Sequence, residues 1–297
     1  MGSSTTAPTT AVEEEVAPPT HLSERMFPVG TPPGQHGRLR AAAENMTGNQ
    51  TSAPRRSRSV EWLRTQIREL VRELTSRARR LRPDPWALQR TGQEEFFRRA
   101  FFLLKRNGIS GDYAEFGCWS GTTFAMAFRE SRRVGMPCKL WALDSFEGLP
   151  APNEAADKYP GWNAGEMRMS LDEFRAAMDK QRIPTSVFEM VPGFYGESLN
   201  ERPGHALPQD IGLAFIDCDL YTSTKSVLAF LMRHLKHGMI VAFDDYYCDS
   251  ANQVAGERRA MREIVQADTQ WHWLPYFQFG WSGMSFIIEN AQSGGLP

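Results

Sequence analysis

From Tyr113 onward the chain alternates short apolar runs with longer amphipathic stretches. Runs of strand length, rich in aliphatic and aromatic residues, stand at 113–117, 139–145, 187–192, 213–219 and 239–245. Between them the 3-4 spacing of helices recurs at 122–133, 170–180, 223–236 and 251–266. Strand and helix in alternation, joined by short turns, predict a doubly wound α/β sheet whose strands run mostly parallel. Trp271 to Phe279 and Gly283 to Glu289 follow as two strands with no helix between them, which predicts a closing antiparallel pair.

A helix over 94–107 leads into this domain. Farther upstream Val60, Leu63, Ile67, Leu70, Leu74 and Leu81 keep a 3-4 spacing that Arg77 interrupts, with Ser59 as N-cap and Pro83 beyond the end. This is an amphipathic helix of about three heptads. Its polar face sets Arg64, Arg68, Arg72, Arg79, Arg80 and Arg82 against Glu61, Glu69 and Glu73. Such a helix can dock on the domain, pair with a second copy to form a homo-oligomer, or touch a membrane or acidic partner; the spacing leaves all three open. Residues 1–58 are rich in Thr, Ser, Pro, Gly and Ala and show no hydrophobic period, so a disordered tail is expected there. The organisation expected is thus a tail at 1–58, an amphipathic helix and linker at 59–93, and an α/β domain at 94–290.

Composition narrows the classes of partner. Of 297 residues 41% are hydrophobic and 23% charged, with a formal net charge of -1, so no general attraction to nucleic acid is expected. The four cysteines, Cys118, Cys138, Cys218 and Cys248, form no Cys-x-x-Cys pair and read as buried thiols of a reducing compartment. No stretch has the length and hydropathy of a transmembrane segment or signal peptide, which places the protein in the cytoplasm. Asn45 and Asn49 head glycosylation patterns, read as chance matches without an export signal.

Candidate chemistry gathers at strand ends. Phe215 to Tyr221 carries Asp217 and Asp219, and Ile240 to Tyr246 carries Asp244 and Asp245. The two strands belong to one β-α-β unit, so both acidic tips fall on the carboxyl-end rim, where open α/β sheets bind ligands. Hard oxygen donors with no Cys or His pattern beside them suit a magnesium-like ion. On a strand Asp217 and Asp219 share a face, so alternation does not separate them. At the other side of the rim the first strand runs into Glu115-Phe116-Gly117-Cys118-Trp119-Ser120-Gly121. An acid two residues before the first glycine, in place of G-x-G-x-x-G, favours a cationic ligand without phosphate: S-adenosylmethionine rather than a nicotinamide cofactor. Asp144, at the second tip, is placed to accept from ribose hydroxyls. Candidate cofactor contacts are Glu115, Gly117, Ser120, Gly121, Asp144, Ser145 and Gly193.

Glu115-Phe116-Gly117, the run Asp144-Ser145-Phe146-Glu147-Gly148-Leu149-Pro150, Asp217-x-Asp219-Leu220-Tyr221 and Asp244-Asp245-Tyr246 together resemble the macrocin-type (TylF-like) O-methyltransferases. The likeness covers about residues 94–289, and extends to Gly256-Glu257-Arg258-Arg259-Ala260. It implies a class I methyltransferase-type sheet and methyl transfer from S-adenosylmethionine to a hydroxyl of a sugar or other small natural product, with magnesium. It implies Asp217, Asp244 and Asp245 as metal ligands, with Asp219 the other candidate for the first ligand; Asp217 or a nearby basic group is the candidate catalytic group that takes the proton. The segment Pro192-Gly193-Phe194-Tyr195 departs from the family's Trp-Phe, and no histidine lies between Asp144 and Arg202. His205 and His272 remain as candidates for the base that relatives place on a histidine. The loop 151–169, with Tyr159, Trp162 and Glu166, is long enough for a substrate lid. A non-catalytic S-adenosylmethionine-binding partner subunit and a nucleotide-dependent oxidoreductase are the competing readings.

Overall fold

The computed structural model describes residues 66–71, 73, 84–153, 155–157, 161–200 and 204–290. The chain divides into two units, Met1–Gln66 and Ile67–Pro297, and the architecture below belongs to the second. The expected tail at 1–58 and most of the amphipathic helix lie outside the described residues. Within that helix 66–71 and 73 are helical, and Ile67, Leu70 and Val71 are exposed.

Seven strands form one sheet in the order β3-β2-β1-β4-β5-β7-β6. They are β1 (Asp112–Phe116), β2 (Leu140–Asp144), β3 (Phe188–Pro192), β4 (Ile211–Ile216), β5 (Ile240–Phe243), β6 (Trp271–Phe279) and β7 (Gly283–Asn290). The first five pair in parallel. β7 then runs antiparallel to both β5 and β6, closing the sheet as the strand pattern predicts. Among the described residues, the helices of this domain after position 84 are α1 (Pro85–Asn107), α2 (Thr122–Arg133), α3 (Leu171–Lys180), α4 (Tyr195–Ser198), α5 (Tyr221–Leu231) and α6 (Gly256–Ala267).

The central strands β4 and β5 are buried at every position because both faces are covered. Tyr113, Leu213, Phe215, Ile240 and Ala242 face one core, which includes Phe96 and Phe97 of α1, Phe124 of α2 and Phe174 of α3. The alternate residues Ala114, Phe116, Ile216, Val241 and Phe243 face the other, which includes Phe230 of α5 and Ala260 of α6. No helix among the described residues is long and apolar enough to cross a membrane. All four cysteines are free thiols, with Cys118 and Cys218 buried.

Two differences from the expected elements bear on function. Helix α1 begins at Pro85, nine residues before the expected start, with Asp84 capping it by accepting the Trp86 N–H at 3.0 Å. Residues 85–93 carry no strong apolar period, because two of the positions they bury are glutamines. The second difference is that β4 stops at Ile216 and Asp219 has a φ of 57°. Asp217 and Asp219 therefore sit in a turn, and the shared strand face expected for them does not exist.

Candidate active site

Backbone hydrogen bonds continue the parallel ladder past the strand ends and so align the site. Gly193 N–H donates to Asp144 O, Gly117 N–H to Leu143 O, Asp217 N–H to Phe116 O and Asp244 N–H to Ile216 O, all at 2.8–3.0 Å. Five strand tips thus present Gly193, Asp144, Gly117, Asp217 and Asp244 along one rim. Gly117 is required there: its φ is 91°, and a Cβ would lie 1.8 Å from the carbonyl oxygen of Asp217.

A cavity of about 240 Å³ opens on this rim. Gly117, Asp144, Ser145, Gly193 and Asp217, all expected as site residues, line it together with Asp219. Trp119, Phe194 and Tyr195 add aromatic wall, Thr222, Ser223 and Ser226 of α5 add hydroxyls, and Gly148 to Pro150 with Met167 form the opposite edge. The Asp144 carboxylate does more than face the cavity. Its Oδ2 accepts the N–H groups of Cys118 at 2.7 Å and Trp119 at 3.3 Å, and Oδ1 accepts that of Phe146 at 2.8 Å. It therefore ties the first two turns together.

Glu115 and two neighbours in the first turn are placed elsewhere. Glu115 follows Tyr113 by two residues and shares its face, so it points into the core of α1 to α3 and is fully buried. Its carboxyl is engaged by the Tyr113 hydroxyl and by that of Thr123 at 2.7 Å. Burial pushes its pKa up to about 8, against the lowering effect of those two hydroxyls. Ser120 is exposed and pairs with Thr122 at 2.8 Å, while Gly121, at φ 67°, caps α2 where a Cβ would meet Met178. Neither Ser120 nor Gly121 lines the cavity.

The acidic tips assemble five carboxylates. Asp217 is held well above the usual carboxylate range by burial, and then by Asp244, Asp245, Asp219 and Glu257. Burial and neighbouring carboxylates likewise push Asp219, Asp244 and Asp245 each up to about 7. Asp244 Oδ1 accepts from Gln89 Nε2 at 3.0 Å and Gln93 Nε2 at 2.9 Å. The Cys248 thiol donates to Asp245 Oδ1 at 3.2 Å. Glu257, at the start of α6, accepts the backbone N–H of Cys218 at 3.3 Å and of Asp245 at 3.0 Å, so one buried side chain joins both turns. Hard oxygen donors repelling one another in a buried place fit a divalent ion in their chemistry. Among the described residues, however, no group of three is arranged so that it could hold a metal ion.

Neither candidate histidine reaches the cavity. His205 Nε2 lies 2.6 Å from the carbonyl of Ser198, and His272 lies on β6, exposed, 3.2 Å from Glu289. The loop at 151–169 is fastened by Asp157, whose carboxylate accepts the N–H of Thr222 at 3.0 Å and its hydroxyl at 2.7 Å. Tyr159 lies outside the described residues. Gln89, Gln93 and Asp157 carry no motif of their own, and Glu257 stands in the Gly256–Ala260 run of the family likeness without a role read from it.

The sequence matches the Macrocin-O-methyltransferase (TylF) family over residues 60–274. The chain belongs to that family. The match thus begins in the segment expected as an amphipathic helix and ends in β6. A relative in Streptomyces olivaceus, 8-demethyl-8-(2,3-dimethoxy-alpha-L-rhamnosyl)-tetracenomycin-C 4'-O-methyltransferase, is 28% identical over 159 residues, 52% of this chain and 59% of its own. The aligned part is thus less than two thirds of that relative's length. Among solved structures, the O-methyltransferase NovP superposes with a TM-score of 0.56 at 21% identity, over 67% of this chain and 80% of its own. CalS11, a calicheamicin methyltransferase, superposes with a TM-score of 0.50 at 22% identity, over 82% and 99%. At these identities the likeness is one of fold, and the fold of this chain is the class I methyltransferase-type sheet.

Proposed function

We propose that the protein transfers a methyl group from S-adenosylmethionine to a hydroxyl of a sugar or other small natural product, in the cytoplasm. The observation that carries this reading is the single cavity edge on which Gly117, Asp144 and Gly193 meet Asp217 and Asp219. Family membership and the relative that methylates a rhamnosyl tetracenomycin support the donor and the class of acceptor.

Gly117, Asp144, Ser145 and Gly193 hold the donor in this reading. Glu115 supports the first turn from below, since its carboxyl is spent on Tyr113 and Thr123. The acceptor oxygen attacks the methyl carbon, the carbon–sulfur bond breaks with its electron pair on sulfur, and the hydroxyl proton passes to the Asp217 carboxylate. Asp217, Asp244 and Asp245 would hold magnesium, whose charge would stabilise the developing alkoxide. Alignment of donor and acceptor between the aromatic wall and the loop at 151–169 supplies the positional part of catalysis. The segment 60–81, expected from its spacing as an amphipathic helix, is the one through which two copies would pair.

Transfer of label from S-adenosylmethionine to hydroxylated glycosides tests the reading. Heat from NAD in calorimetry, with none from S-adenosylmethionine, would overturn it. Asp244→Asn with Asp245→Asn should abolish transfer while leaving S-adenosylmethionine affinity within about twofold. A folded double variant that methylates at the wild-type rate removes magnesium from the reading and leaves methyl transfer standing.

A further inference from the structure

Helix α1 reaches the acidic tips through two glutamines. Gln89 and Gln93 stand one helical turn apart, are 4% and 6% exposed, and direct both Nε2 groups at one oxygen, Asp244 Oδ1. Two donors from different positions on one oxygen restrict the rotation of the carboxylate, and each is a hydrogen bond to a group that carries charge when ionised. Gln89 is itself braced, because its Oε1 accepts the N–H of Trp281 at 3.0 Å, in the turn between β6 and β7. That turn can approach because position 92 is glycine: a Cβ there would stand 2.0 Å from Gly280 N. A glycine inside a helix is less favourable than an alanine. Here the cost is offset by a contact that no other residue permits.

We propose that Gln89 and Gln93 are positioning residues, an amide clamp braced by the Trp281 turn that fixes the Asp244 carboxylate among the acidic strand tips. Neither glutamine lines the cavity, so both act through Asp244. In its metal arm the inference rests on the reading of Asp244 as a magnesium ligand. Substituting groups that orient a ligand costs about 10–100-fold in metal affinity or activity.

The test uses the full chain with Gln89→Met, Gln93→Met and the double substitution, each confirmed as folded by circular dichroism. Magnesium and S-adenosylmethionine affinities are measured by calorimetry, with kcat and KM from transfer assays. Expected for the double variant are losses of about 10–100-fold in magnesium affinity and in kcat, with S-adenosylmethionine affinity and KM within about twofold. If the double variant does not fold, each single substitution must lower magnesium affinity or kcat by at least about threefold. Wild-type protein that takes up no magnesium counts against the metal reading alone, and the clamp is then judged on kcat. Folded variants with wild-type kcat and magnesium affinity overturn it. So does a crystal structure of the double variant in which Asp244 keeps its rotamer.

Discussion

Glu257 and Asp245 are joined by a hydrogen bond of 3.0 Å from the backbone N–H of Asp245 to Glu257 Oε2, while Oε1 takes the N–H of Cys218. One fully buried carboxyl thus spans the turns after β4 and β5. Glu257→Ala leaves two buried N–H groups without their acceptor. A loss of at least about 1–3 kcal/mol in urea unfolding is expected, with reduced turnover. Wild-type stability in that variant would show that the two turns hold their shape unaided.

The buried acids set a direction for stability against pH. Glu115 is pushed up to about 8 from 4.5, and Asp219, Asp244 and Asp245 to about 7 from 3.8. Each binds its proton more tightly folded than unfolded, so the stabilisation is fully present below the unfolded pKa. It is lost as pH rises through the folded values. The melting temperature should therefore fall from pH 5.5 to 8, and Glu115→Gln should flatten the upper part of that fall. A melting temperature that climbs across this window contradicts the assignment.

Asp157 is 8% exposed and fastens the loop at 151–169 to the first turn of α5 through Thr222. Replacing it with Ala removes both acceptors. Trypsin should then cut at Arg168 several-fold faster, with S-adenosylmethionine affinity nearly unchanged. Equal cutting rates would mean that the loop is held by its other contacts.

Gly92→Ala reverses the usual sign of a helical glycine substitution. Elsewhere in a helix the change gains about 1 kcal/mol. At this position the new methyl would stand 2.0 Å from Gly280 N and 2.6 Å from its Cα. A net loss of stability is expected in thermal melts, along with a lower kcat, because the same turn braces Gln89. A more stable variant would mean that helix and turn can move apart freely.

Elements whose residues repeat at 2 or 3.6 positions were legible from the chain alone. Val241 to Phe243 or Thr122 to Arg133 cannot bury their apolar sides in another way, so strand, helix and the parallel sheet follow from local pattern. The rim residues Gly117, Asp144, Gly193 and Asp217 were legible too, because a strand tip in a parallel sheet has one destination. Tertiary structure decided the rest. Glu115 looked like a ligand for a cationic cofactor, but alternation along β1 turns it inward, where Tyr113 and Thr123 take up its carboxyl. The start of α1 was hidden because Gln89 and Gln93 are buried by a partner 155 and 151 residues away. Periodicity records what each residue does with water. It does not record which buried polar group a distant residue will meet, and that pairing is what shapes the acidic end of this site.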